Sequence, residues 1–210
     1  MEFNLLSFEQ LRLIVVVYIS SILPLILIPY LHLKKRIPSW SLQVYILFFF
    51  VCAIGWEVWF NYGLINGDSV NLRRAEILSS FLPININWLL NSLADSGTIC
   101  LGGLYLALKA KNKDSTVLLK WNWKFFFILL LIFISQNLFV EMFLYHDQLS
   151  IGKPISWAPL SPLGPNFNPI LFTLSDRTVS LQSQIPWIVM TPIFYGYLVY
   201  YLNKNRSRRK

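Results

Sequence analysis

The sequence predicts an all-α fold, a bundle of five transmembrane helices that makes residues 1–210 a single membrane domain. Three observations carry this expectation. The 210 residues are 55% hydrophobic and 16% aromatic but only 13% charged, too apolar for an ordinary soluble surface. Apolar runs lie at about 13–33, 44–65, 86–108, 124–145 and 185–202, each near the ~20 residues a helix needs to cross a bilayer. Charge is segregated as well: thirteen of the 18 basic residues follow the first span, separate the third from the fourth, or end the chain.

Taken in order, the first span contains Pro24 and Pro29, which predict a bend whose freed carbonyls a neighbouring helix must satisfy. It has no basic n-region and no small-residue cleavage site, so it is expected to stay in place and not act as a removed signal. Lys34, Lys35 and Arg36 follow it. The second span ends in a loop reading GDSVNLRRAE, where Arg73 and Arg74 are expected to be solvated, with a role as counter-charges or anion contacts as the alternative. Gly97, Gly102 and Gly103 in the third span predict close helix approach. Lys109, Lys111, Lys113, Lys120 and Lys124 come next, and Lys204, Arg206, Arg208, Arg209 and Lys210 end the chain. By the positive-inside rule the N-terminus is outside and the C-terminus cytoplasmic, in a bacterial inner membrane or its equivalent. The net charge of +8 is thus a topology signal, with anionic lipid headgroups as its natural contact and no nucleic-acid partner expected.

Trp40, Trp56, Trp59, Trp88, Trp121, Trp123 and Trp187 fall mostly near span ends, and anchoring at the membrane interface is their expected role. Cys52 and Cys100 show neither CxxC nor metal-ligand spacing and are read as small apolar packers. No glycine-rich phosphate loop, nucleophile elbow or HExxH is present, so neither a cofactor nor a metal is expected. A long outer segment, 146–184, mixes prolines with Trp157, Phe167 and Phe172, and its run WAPLSPLGPNFNP is expected to fold over the outer mouth of the bundle.

Function is sought in three acids. Glu57, Asp95 and Glu141 lie in three different spans that hold no Lys or Arg beside them. A carboxylate at membrane depth is costly unless it faces a protein interior, takes a proton or meets a cation, so such a residue marks a functional site by default. At 1.5 Å per residue the three sit roughly 12, 14 and 7 Å below the outer surface, which predicts one shared pocket. Asn87, Asn91 and Asp95 recur every fourth residue along one helical face, and Ser135, Gln136, Asn137 and Glu141 make a polar patch on the fourth span. Gln182, Ser183 and Gln184 stand at the outer start of the fifth. Glu57, Asp95 and Glu141 are therefore the candidate catalytic residues. Trp56, Asn91, Gln136, Asn137, His146 and Gln184 are the candidate ligand-binding residues. For Asn87, Ser135 and Gln136 plain interhelical bridging is the competing role.

Five helices, the Gly55-Trp56-Glu57 sequence in the second, Asp95 in the third, and Asn137 followed by Glu141 in the fourth resemble the EXPERA family, which includes emopamil-binding sterol isomerases. The resemblance covers about residues 44–202. The isomerases carry a histidine upstream of the second-span acid, and this span has none. What the resemblance implies is a pocket for a hydrophobic or cationic ligand.

The acids define the chemistry such a pocket supports. Like charges in a dry site do not ionise together, so one carboxyl group keeps its proton while a neighbour stays ionised. The first protonates an alkene and the second stabilises or deprotonates the resulting carbocation, which isomerises or cyclises a lipid without a cofactor. Glu57 and Glu141 are the expected exchanging pair, with Asp95 as electrostatic stabiliser. The expected partners are membrane lipids, a hydrophobic small molecule and further subunits in the membrane. The alternatives are an accessory subunit of a membrane complex and a proton- or cation-handling protein.

Overall fold

The computed structural model describes residues 6–143, 155–156, 167–174 and 177–207. Among these, four helices are long and apolar enough to cross a membrane: α1 (Phe8–Leu33), α2 (Trp40–Tyr62), α6 (Trp123–Phe143) and the body of α7 (Leu181–Ser207). Between α2 and α6 run two short helices, α3 (Val70–Arg73) and α4 (Glu76–Phe81), and then a continuous helical path, α5 (84–110). Among the described residues the fold is helical apart from one small hairpin, β1 (Ile170–Leu174) and β2 (Arg177–Ser180). The helices exceed the expected spans at most ends because capping and terminal turns extend them past the apolar runs. At the start of α1, Ser7 and Gln10 form a capping box, with the Ser7 N–H bonded to Gln10 Oε1 at 2.9 Å.

The prolines of α1 lie inside an unbroken helix. Pro24 cannot donate to the carbonyl four residues back, which is that of Ser20. Thr98 of α5 fills the gap, its Oγ1 donating to the Ser20 carbonyl at 2.6 Å. A neighbouring helix thus supplies what the ring removes. The same contact requires α1 and α5 to approach closely, and Gly97 sits at that crossing.

Packing of the bundle is dominated by rings. Phe48, Phe133 and Phe194 meet with centroids 4.7 to 5.8 Å apart, and Trp187 stacks edge-on to both Phe133 and Trp56. The outward faces carry Ile19, Ile26, Phe127 and Leu131, all more than half exposed. In a bilayer such faces meet acyl chains, so cohesion comes from these interlocking rings and small residues more than from exclusion of water.

One end of the bundle gathers the basic segments. Tyr195 Oη donates to the Val117 carbonyl at 2.6 Å, and Asn203 Nδ2 to that of Leu119 at 2.6 Å. Those bonds tie the end of α7 to the Lys-rich α5–α6 connection. At the other end Arg177 pairs with Glu9 at 3.0 Å, joining the hairpin to the start of α1. Helices α1, α5 and α7 accordingly run one way and α2 and α6 the other.

Of the long segment between α6 and β1, Ile155 belongs to the main core cluster, and Ser156 lies against Gly67 of the α2–α3 loop. Most of WAPLSPLGPNFNP, like His146, lies outside the described residues. Its last three residues lead into the hairpin, where the Phe167 carbonyl accepts from Gln182 Nε2 at 2.6 Å. β1 and β2 pair antiparallel, with Phe172 opposite Val179 and a bulge between Ile170 and Phe172.

Candidate functional site

Two of the three acids sit on π-turns. In α2 the turn spans Ala53–Glu57 and in α5 Asp95–Leu101, each widening an otherwise regular helix. Such turns shift the register of the backbone bonds and are frequent at functional sites. Indole groups attend the turn in α2: Trp88 Nε1 donates to the Ala53 carbonyl at 3.1 Å and Trp59 Nε1 to that of Ile54 at 2.7 Å. Nothing in the apolar periodicity predicts these turns. The nearest cues are Gly55 and Gly97, one inside each.

The structure brings Glu57, Asp95 and Glu141 to one narrow chamber of about 50 Å³, together with Trp56, Phe60, Asn91, Asn137 and Trp187. Four of the six expected ligand contacts, Trp56, Asn91, Asn137 and Gln136, line this chamber or the cavity beside it. Glu57 is 5% exposed. Its Oε2 accepts from Asn61 Nδ2 at 2.8 Å, and Asn87 Nδ2 donates in turn to Asn61 Oδ1 at 2.6 Å. Asn91 also hydrogen-bonds Glu57, and Asp95 borders the same chamber and acts on Glu57 electrostatically. Trp56 Nε1 donates to Asp95 Oδ2 at 2.9 Å.

Glu141 is held differently. Its Oε1 lies 2.9 Å from the Ser180 backbone N and 3.2 Å from Ser180 Oγ, and its Oε2 lies 2.6 Å from both Ser183 Oγ and Gln184 Nε2. Four polar groups converge on one carboxylate, at the point where the hairpin hands the chain to α7. Gln184 therefore faces Glu141 and, through its Oε1, Asn137 Nδ2 at 2.9 Å, and it does not border the chamber. Asn137 Oδ1 accepts from Trp187 Nε1 at 2.9 Å, and the Trp187 ring lies 5.3 Å from that of Trp56.

Two expectations are corrected here. Trp56 and Trp187 are 2% and 5% exposed and are interior donors, not interface anchors. Their indole N–H groups find carboxylate and amide partners inside the bundle, which position at a span end does not reveal. Arg73 and Arg74 are not solvated: they are 3% and 7% exposed. Arg73 lies over the Phe60 ring at 4.2 Å and donates to the Phe60 carbonyl. Burial pulls its guanidinium down to about 9, opposed by the charges of Glu57 and Asp68. Arg74 donates to the Leu82 carbonyl and to Asn71 Oδ1, and burial brings it down to about 10. A cation from α3 thus acts with Glu57, one of the acids that no span residue neutralises.

Beside the chamber a second cavity, about 450 Å³, lies between α1, α5 and α6. Val16, Ile99, Phe139 and Val140 make it apolar, and Asp95, Asn137, Val140 and Trp187 border both spaces. Gln136 faces this larger cavity, and its Oε1 is a buried acceptor without a hydrogen-bond partner among the described residues. Cys52 and Cys100 are fully buried between α2 and α5. No cluster of three or more His, Cys, Asp or Glu able to hold a metal ion occurs among the described residues. No family model, curated protein or solved structure matches the chain.

Proposed function

We propose that this is a five-span membrane protein, N-terminus outside, that binds a hydrophobic lipid in the α1–α5–α6 cavity and moves a double bond in it by acid–base chemistry. One observation carries the reading: an apolar space of about 450 Å³ that shares Asp95 in its wall with a small chamber lined by three carboxyl groups. The size of the larger space suits a ligand body, and that of the smaller suits one reacting group and little else. Trp56, Glu57, Asp95, Asn137 and Glu141, the residues of the EXPERA-like pattern, all border the chamber, which supports a family-like pocket.

Within this proposal Glu57 and Asp95 form the exchanging pair in place of Glu57 and Glu141. Both line the chamber and Asp95 acts on Glu57, whereas Glu141 is engaged by four polar groups that suit a fixed acceptor. One carboxyl group of the pair gives its proton to an alkene carbon, forming a C–H bond from the π electrons and leaving a cation on the adjacent carbon. The other, ionised, removes a proton from the next carbon, and the electrons of that C–H bond form the shifted double bond. The proton count is unchanged. Glu141 lends a fixed negative charge to the cationic stage.

The test begins with native mass spectrometry of the purified protein to identify the retained lipid. Incubated with that lipid in D2O, the wild type should place one deuterium in the isomerised product. Glu57→Gln and Asp95→Asn should each slow turnover at least ~100-fold while keeping the lipid bound, the usual scale of a lost general acid or base. Undiminished turnover in both variants would rule the mechanism out. For the topology, reporter fusions after Lys113 and Lys210 should read as cytoplasmic and one after Lys153 as external. A cytoplasmic reading at Lys153 would overturn the five-span arrangement.

A further inference from the structure

We propose that the β1–β2 hairpin is seated in the membrane interface, with β1 dipping its apolar side chains into the boundary between headgroups and acyl chains beside α6. The strand reads Ile-Leu-Phe-Thr-Leu, carries no charge, and has all five residues exposed. Ile170, Leu171, Phe172 and Leu174 are each roughly half exposed, as is Phe167 just before the strand. β2 differs: Val179 is fully buried, and the Ser180 backbone N–H donates to Glu141 of α6 at 2.9 Å. One strand holds the bundle and the other overhangs it.

The overhang continues a face that meets acyl chains. Phe127, Leu131, Ser135, Phe139 and Phe143 recur every fourth residue along α6 and are all exposed, so they form one stripe down this helix. At its end the Phe139 and Phe143 ring centroids lie 5.2 Å apart, and the Arg177 guanidinium of β2 lies 5.8 Å from that of Phe143. Leu174 is the register partner of Arg177, so β1 carries the stripe sideways onto the hairpin. Arg177 is paired with Glu9 at 3.0 Å and donates to the Met142 carbonyl, so it brings no unmatched charge to the lipid boundary. Lipid also accounts for exposure on both faces of the strand, since a docked protein covers one face whereas acyl chains wet both. The depth is limited by the backbone. β1 pairs with β2 along one edge, and the N–H and C=O groups of its other edge need water. The strand therefore stays at the hydrated headgroup level while its side chains reach inward.

Nitroxide spin labels on Leu171→Cys and Leu174→Cys test this in the full-length protein, reconstituted in phosphatidylcholine nanodiscs. Dissolved oxygen concentrates among acyl chains and a nickel chelate in water, so the stronger relaxant of a label identifies the medium around it. Cys52 and Cys100 are fully buried, and wild type carried through the same labelling gives their background. Oxygen should be the stronger relaxant at both strand positions, as at Ile26→Cys on the exposed face of α1 but by a smaller margin. The nickel chelate should dominate at Ser115→Cys, exposed in the basic α5–α6 connection. If the chelate also dominates on β1, the strand stands in water and the proposal fails. Weak relaxation by both reagents overturns it as well, because the strand is then covered by protein, such as a second copy paired along the free edge. Thr173→Cys, a change of similar size on the same exposed strand, carries the readout if a leucine variant does not fold. The labels are read with no lipid turning over, so failure here leaves the acid–base reading of the chamber untouched.

Discussion

Replacing Glu141 by Ala should destabilise the protein by about 3 kcal/mol or more, since hydrogen bonds to a charged group contribute roughly 1.5–3 kcal/mol each and buried donors left without an acceptor add a penalty. The Ser180 backbone N–H, the Ser180 and Ser183 hydroxyls and the Gln184 amide all converge on this carboxylate, which is 3% exposed. Ser180 ends β2 and Leu181 begins α7, so Glu141 of α6 satisfies a first-turn donor of another helix. Losing it should loosen the hairpin and the first turn of α7 together. Thermal unfolding in nanodiscs, followed by tryptophan fluorescence, reads the effect, since Trp187 lies two turns into α7. Glu141→Gln should fall between wild type and Glu141→Ala, because the amide keeps one acceptor oxygen while its NH2 turns toward groups that now have to accept. A Glu141→Ala protein that unfolds with the wild-type midpoint would show that the four partners find other acceptors, and the carboxylate would lose its structural role.

That role was not legible in the sequence, although the residue was. Glu57, Asp95 and Glu141 stand out because each interrupts an apolar run, and their depth follows from counting residues at a fixed rise, so their convergence on one chamber was predictable. The four-residue recurrence of Asn87, Asn91 and Asp95 likewise pointed to one face of α5. What periodicity cannot carry is the identity of a partner far away in the chain. Ser180 and Ser183 engage Glu141 across 39 and 42 residues, through a hairpin hidden in a proline-rich segment. Arg73 was misread for a related reason. An RR pair in a short polar loop is usually solvated, and only the placement of α3 against the end of α2 shows that Arg73 is buried over Phe60. Trp56 and Trp187 were misread because nearness to a span end says nothing about which way an indole faces.

Gly97→Ala should cost about 1–3 kcal/mol, the usual penalty for forcing a methyl group into a filled space, and Gly97→Val more. A Cβ at this position would lie 2.4 Å from Pro24 Cβ, 2.8 Å from Pro24 Cγ and 3.0 Å from a Tyr45 ring carbon. Pro24 cannot yield by changing rotamer, because its ring is closed onto the backbone. The strain must therefore separate α1 from α5. That separation has a second consequence, since the Thr98 hydroxyl bonded to the Ser20 carbonyl stands next to Gly97, and the bond replaces the one Pro24 removes. A lengthened bond would leave that carbonyl unsatisfied at the wall of the cavity where Ser20 and Thr98 both stand. Gly102→Ala is the control: its Cβ would meet nothing nearer than 3.8 Å, and with the helix propensity of Ala in its favour it should match or exceed wild-type stability by up to about 1 kcal/mol. Equal unfolding midpoints for the two alanine variants would mean that α1 can shift away from α5 at no cost. The cavity between them would then not be held open by a fixed helix crossing, and α1 itself would be a movable wall.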